Sequence, residues 1–215
     1  METMQFINFL ARWGHLLFGM TWMGLLYYFN FIQGGYFKQA SPEALKDAKA
    51  KLAPEALWWF RWGAMFTFIT GVILLVGLMK QGLMNTYIIL GATMGTLMFL
   101  NVWLIIWPNQ KIALGLVEGG DGPTAAGKAL LASRTNTMFS GPMAFFMLAG
   151  PHFVSGGGYG AKVDGSMGWI IALLIVAALQ VNAIMGKQGP MTTVKGVIHC
   201  SMGLTAVLVA LLVFL

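Results

Sequence analysis

Five ionisable side chains interrupt the apolar runs of this chain, and they are the residues best suited to carry chemistry. They are two arginines and three histidines: Arg12, Arg61, His15, His152 and His199. An ionisable group inside an apolar span is costly unless it is buried and paired, so each is a functional candidate. Imidazole is the commonest metal ligand, and guanidinium matches the geometry of a carboxylate. The set predicts a haem or metal centre with a cation available for an anionic group.

The spacing within the first apolar run places six residues on one helix face. They recur at intervals of three and four: Arg12, His15, Gly19, Trp22, Leu26 and Asn30. A glycine on such a face lets a flat macrocycle approach the backbone, which suits the wall of a cofactor site. Helix packing is the alternative, with Gly19 as a close-contact point and His15 bonded to a neighbouring carbonyl.

The other two histidines each leave two interpretations open. His199 is followed on its own face by small residues that include Gly203 and Ala206, which suits either a haem or a neighbouring helix. His152 follows Pro151 at the outward end of the predicted fourth helix. It is therefore either a ligand or a histidine at the level of the lipid headgroups.

The depth of each histidine favours one ligand pair. With a rise of about 1.5 Å per residue, His15 lies about 5 Å and His152 about 8 Å outward of their helix midpoints, whereas His199 lies about 8 Å inward. The two axial ligands of an upright haem lie at similar depth. His15 and His152 are therefore the expected pair, and His199 is left for a second site or an inner face.

Arg61 lies in the aromatic run Trp58-Trp59-Phe60-Arg61-Trp62. It either holds a propionate or an anionic substrate, or anchors an aromatic belt at the membrane interface. The residues predicted to bind a cofactor are His15, His152, His199, Arg12, Gly19, Trp22 and Arg61. The three histidines are also the predicted metal ligands, and no residue is assigned a catalytic role.

The elements that must position these residues are apolar segments long enough to cross a membrane. The chain is 58% hydrophobic and 9% charged, whereas soluble domains average about 25% charged residues. A span needs about 20 mostly apolar residues, and six segments qualify: 5–33, 56–79, 84–107, 137–154, 167–186 and 193–215. The sequence predicts an all-α integral membrane protein, with residues 1–215 as a single membrane domain of about six transmembrane helices.

Short amphipathic helices are predicted in the linkers between these spans. Residues 34–55 open with Gly-Gly and continue as a charged Ala/Lys helix with a start signal at Ser41. Residues 108–136 combine a glycine-rich turn with a short Ala-rich helix, and residues 155–165 read as a loop.

The distribution of basic residues predicts the orientation of the chain. The first, third and fifth linkers hold nine of them: Lys38, Lys46, Lys49, Lys51, Lys111, Lys128, Arg134, Lys187 and Lys195. The second and fourth hold Lys80 and Lys162. The positive-inside rule then places the odd linkers in the cytoplasm and both termini outside. The first apolar run lacks a basic start and a small-residue cleavage site, so we expect a retained helix.

Composition also argues against several classes of site and partner. The net charge of +6 is spread among the linkers without a dense patch, which argues against nucleic acid as a partner. Cys200 is the single cysteine, and no C-x-x-C-H is present, so this chain carries no covalent haem c. Three histidines with no acidic residue in any predicted span argue against a di-iron carboxylate site. The 16 methionines are scattered and suit core filling better than copper binding.

Four stretches carry a family resemblance. They are RWGHLLFGMTWMGLLYYFNFIQG (12–34), WWFRWGAMFTFITG (58–71), NVWLIIWPNQK (101–111) and ASRTNTMFSGPMAFFMLAGPHF (132–153). Together they resemble the membrane domain of the bacterial cytochrome-c-linked urate hydroxylases, with the last third of the chain matching only loosely. The HLLFGMTWMG stretch is also similar to the first helix of small membrane haem proteins, including the haem-binding protoporphyrinogen oxidase type. That similarity implies that His15 is a haem ligand.

The resemblance implies a membrane redox function with haem b as the cofactor. The better-known members oxidise urate to 5-hydroxyisourate and carry a periplasmic cytochrome c domain after the membrane part. This sequence resembles a standalone form without that domain, which implies a separate periplasmic cytochrome c as electron acceptor. The implied location is the inner (cytoplasmic) membrane of a bacterium, with the lipid bilayer as the immediate surroundings.

Two other functions are compatible with the sequence. One is a non-catalytic haem b carrier or an accessory subunit of a respiratory membrane complex, since the only bases within the spans are histidines. The other is a transporter or metal-handling protein without haem.

Overall fold

The computed structural model describes residues 2–155 and 167–215. Within these residues all regular structure is helical and no strand occurs, which confirms the all-α prediction. The predicted loop over residues 155–165 lies, apart from its first residue, outside the described part of the chain.

Long helices alternate with short helical linkers along the chain. In order, the elements are α1 Glu2–Tyr27, a π-helix Tyr28–Gln33, α2 Gly34–Gln39, α3 Pro42–Asp47, a π-helix Ala48–Leu52, α4 Ala53–Lys80, α5 Thr86–Leu100, a π-helix Asn101–Ile106, α6 Trp107–Ala113, α7 Gly122–Ser155, α8 Met167–Met185, a 3-10 turn Gly189–Thr192 and α9 Val194–Phe214. The long helices follow the predicted spans closely, except at the start of α7.

Four stretches among the described residues are long and apolar enough to cross a membrane. They are Pro42–Lys80, Thr86–Ala113, Met167–Met185 and Val194–Phe214. The chain is therefore an all-α membrane protein. The predicted spans 5–33 and 137–154 fall on α1 and α7, which are 26 and 34 residues long. Both helices are long enough to span a bilayer, and their insertion stays a prediction.

Helix α7 begins well before the predicted start at residue 137. Asp121 precedes it and accepts a hydrogen bond from the Thr124 amide at 3.2 Å through a carboxylate oxygen, as an N-cap residue does. Pro123 occupies the first turn, where the missing N–H is tolerated. The Ala-rich segment predicted as a separate linker helix is therefore the first part of α7, which runs on through Pro142 and Pro151.

The charged linker after α2 forms as predicted. The Ser41 hydroxyl accepts a hydrogen bond from the Ala44 amide at 3.3 Å and caps α3. Lys51 pairs with Asp47 at 2.6 Å, one turn apart and exposed to solvent. This confirms the predicted start signal at Ser41.

The chain folds into two compact units. The first comprises Met1–Leu74 and Phe99–Ser133, and the second comprises Leu75–Met98 and Arg134–Leu215. The predicted single membrane domain over residues 1–215 stays a prediction.

In the first unit, α1 packs closely on α4. A Cβ atom added at Gly63 would lie 3.2 Å from the Trp22 amide nitrogen and 3.5 Å from the Phe18 carbonyl oxygen. The absence of a side chain at Gly63 lets the two backbones approach closely, as at other small-residue helix contacts in membranes.

In the second unit, small residues serve the same purpose in two further helix pairs. A Cβ at Gly91 of α5 would lie 3.1 Å from the Met147 amide of α7. A Cβ at Gly168 of α8 would overlap the Leu211 carbonyl of α9. Close backbone contact at these glycines therefore helps to align the helices.

Candidate functional site

His15 lies at the middle of α1 and faces α4. Its Nδ1 lies 2.9 Å from the carbonyl oxygen of Thr67 and 3.2 Å from the Thr70 hydroxyl oxygen. The Thr70 hydroxyl itself donates to the Phe66 carbonyl at 2.7 Å. A carbonyl oxygen can only accept, so Nδ1 carries the proton and donates it to Thr67.

This hydrogen bond fixes the tautomer and the direction of the imidazole ring. With the proton on Nδ1, Nε2 carries the lone pair, and no hydrogen bond to Nε2 is found within the described residues. Histidines that bind a metal through one nitrogen usually donate the other N–H to a carbonyl or carboxylate in this way. His15 therefore has the orientation of a ligand and also the carbonyl contact that the packing alternative anticipated.

Glycines shape the space around the His15 ring. A Cβ at Gly71 would lie 3.0 Å from His15 Cε1, which is too close for an undisturbed ring. Gly19 is less restricted, because a Cβ there would meet Thr67 Cγ2 at 3.9 Å, an ordinary contact. Of these two glycines, Gly71 is thus the one whose missing side chain leaves space for the imidazole ring.

The buried face of the first helical segment continues from α1 into the π-helix. Trp22, Leu26, Asn30 and Gln33 are all buried, and we call them the Trp22 face. The Asn30 amide nitrogen donates to the Leu26 carbonyl at 2.9 Å and to the Ser133 hydroxyl at 2.8 Å. Because both amide hydrogens are used, the Asn30 carbonyl oxygen has a fixed direction.

Several polar atoms of the first unit are buried without a partner in the described part of the chain. Two are acceptors, the side-chain oxygens of Asn30 and Gln33, and two are donors, the indole nitrogens of Trp22 and Trp103. A buried polar atom left unpaired costs about 1–3 kcal/mol. π-helical turns are frequent at functional sites, and three of these four residues lie in such turns. The unit therefore offers acceptors and donors to a bound polar group.

The two predicted anion-binding arginines have different surroundings in the first unit. Arg12 is exposed on α1. The Arg61 guanidinium stacks on the Trp107 ring with its central carbon 3.8 Å from the ring centroid. That distance is typical of a cation–π contact. Trp58 and Trp59 beside it are exposed, as expected of residues in an aromatic belt.

The other two histidines belong to the second unit and are exposed. His152 lies in the last turn of α7, and His199 lies near the start of α9. A group bound by either would lie against the outside of this chain. Within the described residues, no cluster of three or more His, Cys, Asp or Glu side chains could hold a metal ion.

Sequence reasoning missed the most buried cation of the described residues. Arg134 was predicted to lie in a cytoplasmic linker, but it lies inside α7 and is only 9% exposed. The guanidinium atoms Nε and Nη1 are buried and have no hydrogen-bond partner in the described residues. The sequence signal for this position was the absence of proline from residues 124–141, which allows one continuous helix from Asp121 through Arg134.

Comparison with known proteins identifies a family. The urate oxidase N-terminal family matches residues 81–214. This region includes Arg134, His152 and His199, as well as the last third of the chain, where the sequence resemblance was loose. A search of curated proteins and of solved structures finds no match. Because the matched region covers more than half of the chain, the protein belongs to the urate oxidase N-terminal family.

Proposed function

We propose that the protein is a haem-dependent membrane oxidoreductase that oxidises urate or a related small molecule and passes the electrons to a periplasmic cytochrome c. The observation that carries the haem assignment is the orientation of His15, whose Nδ1 donates to the Thr67 carbonyl at 2.9 Å and whose Nε2 carries the lone pair. The family match supports a urate-related substrate. The proposed location is the bacterial inner membrane, with both termini on the periplasmic side.

Two features of the surroundings of His15 support the haem proposal. Gly71 leaves room for the ring, and the half-buried position of His15 in the middle of α1 limits the access of water to it. When bound, haem b would supply one-electron redox chemistry. The protein would supply the His15 ligand, hold its tautomer through Thr67, and keep the site in an apolar helix pair.

The Trp22 face suits a ligand with N–H groups. Its two unpaired oxygens, on Asn30 and Gln33, accept hydrogen bonds, and the Trp22 indole donates one. Urate carries both ring N–H groups and carbonyl oxygens, so it can pair with groups of either kind. We propose that these side chains contribute to substrate binding.

A haem assay on histidine variants tests the cofactor. The pyridine haemochrome spectrum of purified wild type is compared with those of His15→Ala, His152→Ala and His199→Ala. We expect haem loss in the first two and a weaker effect in the third. Full haem retention in His15→Ala contradicts the assignment of His15 as a ligand, and full haem retention in His152→Ala contradicts that of His152.

A turnover assay tests the substrate separately. Urate is added anaerobically to the purified protein with oxidised cytochrome c as acceptor. Urate-dependent reduction of cytochrome c supports the proposal. If the protein contains haem but urate neither binds to it nor reduces that haem, the urate claim is removed. The haem claim is then left intact.

One observation favours a second candidate, a haem b electron carrier or accessory subunit of a respiratory complex. The acidic residues with described side chains are all exposed: Glu43, Asp47, Glu55, Glu118 and Asp121. None of them is placed to take a proton from a buried substrate. Copurification with dehydrogenase or oxidase subunits, together with a haem that urate does not reduce, is the expected result for this candidate.

A further inference from the structure

We propose that Arg134 is a buried binding site for the oxyanion of a small molecule held by the protein. The charged group of such a molecule would accept hydrogen bonds from the guanidinium inside α7. Two sources share this chemistry: a free substrate anion, and the carboxylate of a bound cofactor. The choice of urate as the free anion rests on the proposed function.

The surroundings of Arg134 are unusual for a cation. All ten residues from 131 to 140 are buried, so α7 is enclosed on every side at this level. Five of these ten residues besides Arg134 are polar: Ser133, Thr135, Asn136, Thr137 and Ser140. Arg134 is the one residue of this stretch that carries a charge.

The polar neighbours of Arg134 use their hydrogen-bonding groups within the protein. Asn136 donates to the Met98 carbonyl at 2.9 Å, and Ser140 donates to the Thr137 carbonyl at 2.7 Å. Ser133 receives the hydrogen bond from Asn30 at 2.8 Å. The guanidinium is the group that is most expensive to bury, and two of its nitrogens, Nε and Nη1, have no partner in the described part of the chain.

A guanidinium does not lose its proton at neutral pH, so Arg134 stays charged and the free-energy cost of burying that charge remains. A buried ion is tolerated when an opposite charge and hydrogen bonds compensate it. The acidic residues with described side chains are exposed, and Arg134 forms no ion pair with any of them. An anionic ligand that accepts from the guanidinium supplies the missing compensation.

The test uses the purified full-length protein in detergent and the variant Arg134→Met, which keeps an unbranched apolar side chain and removes the charge. Lys128→Met is the matched control, because Lys128 is exposed on the same helix. Arg134→Lys keeps the charge but loses the planar fork. The readouts are haem content, the melting temperature alone, and the melting temperature with urate or with hypoxanthine, a neutral purine.

If the anion is a free substrate, urate raises the melting temperature of wild type and of Lys128→Met, and hypoxanthine does not. Arg134→Met weakens urate binding about tenfold to a hundredfold, because hydrogen bonds to a charged group contribute about that factor. Arg134→Lys weakens binding to a smaller extent. Haem content stays at the wild-type level in all variants.

If the anion is a cofactor carboxylate, haem content falls in Arg134→Met and stays unchanged in Lys128→Met. Unchanged haem content together with unchanged urate binding in Arg134→Met overturns the site. A lower melting temperature of Arg134→Met, with haem and urate binding unchanged, also overturns it, because the guanidinium is then paired inside the protein.

These outcomes are distinguishable from failure of the proposed function. Urate that binds in an Arg134-dependent way but never reduces haem removes the oxidase activity and leaves the site. Equal haem content in wild type and Arg134→Met, with equal reduction of that haem by urate, supports the activity and removes the site.

Discussion

At the scale of single residues, the decisive feature is how each polar side chain of the apolar helices is satisfied. His15 donates to a backbone carbonyl and keeps one nitrogen for another partner. Asn30 uses both amide hydrogens in hydrogen bonds within the protein, and its side-chain oxygen has no partner in the described residues. Arg134 has two guanidinium nitrogens, Nε and Nη1, without a partner in the described residues. In an apolar environment such half-satisfied groups are expected where a ligand completes them.

The Gly71 contact allows a direct test of the His15 geometry. Gly71→Ala places a methyl group 3.0 Å from His15 Cε1, so the ring must shift by a few tenths of an ångström relative to Thr67. We expect haem affinity to fall about tenfold or more, as for other changes that disturb the orientation of a ligand. Haem titration of the apoprotein measures the change.

Gly24→Ala is the matched control for this substitution. A Cβ at Gly24 has open space around it, so we expect wild-type haem affinity and a helix up to about 1 kcal/mol more stable. Equal haem affinity in Gly71→Ala and Gly24→Ala would contradict the proposed ring position.

The hydrogen bond between Asn30 and Ser133 lies within the first unit and is suited to a double-mutant cycle. Asn30→Ala, Ser133→Ala and the double variant are compared by unfolding in mixed detergent. We expect a coupling energy of about 0.6–1.7 kcal/mol, the range of polar contacts between membrane helices. A coupling energy of zero would mean that the two side chains do not interact in the membrane.

At the scale of helices, close packing at glycines and local π-helical turns position these side chains. Gly63 brings α1 against α4, and this contact sets where His15 meets Thr67. The π-helix that follows α1 carries Asn30 and Gln33 at buried positions. A π-helical turn widens the helix and shifts the direction of the side chains after it, so such turns are common at functional sites.

The helix contact at Gly63 predicts a stability effect without a direct effect on the cofactor. Gly63→Ala forces a methyl group to within 3.2 Å of the Trp22 amide, and neither backbone can move aside easily. We expect a loss of about 1–3 kcal/mol, as for other overpacked sites. Thermal unfolding in detergent is the measurement.

Gly19→Ala distinguishes packing from cofactor binding on the same helix. Its Cβ would make an ordinary contact at 3.9 Å, so we expect unfolding as in wild type. Reduced haem content in this variant would place the macrocycle against Gly19. Unfolding as severe as in Gly63→Ala would show that α1 sits closer to α4 than described.

At the scale of the whole molecule, apolar surface and basic linkers predict how the chain lies in the bilayer. Four described stretches are apolar enough to span it, and α1 and α7 are long enough. With Arg134 inside α7, the odd linkers still hold more basic residues than the even ones. The positive-inside rule therefore gives the same orientation as before.

Cysteine labelling tests this orientation, because Cys200 is the single native cysteine. In a Cys200→Ala background, we expect Lys49→Cys and Glu118→Cys to react only after the membrane is permeabilised. Gln81→Cys should react in intact spheroplasts. Labelling of residues 49 and 118 on opposite sides of the membrane would contradict the predicted number of spans between them.

The sequence by itself determined the class of fold and the helix faces. Apolar runs of membrane length can only be helices when a bilayer surrounds them, so the helix positions followed from composition. The spacing from Arg12 to Asn30 likewise placed Trp22, Leu26 and Asn30 on one buried face.

Only the tertiary structure decided what each polar residue contacts. The acceptor for His15 is the backbone carbonyl of Thr67. Every residue has a backbone carbonyl, so the residue type does not reveal this contact. The sequence also placed Arg134 in a linker, because a polar run beside an Ala-rich segment resembles a surface helix. Burial of that run depends on neighbouring helices that pack around α7, and such packing between distant parts of a chain cannot be read from local spacing.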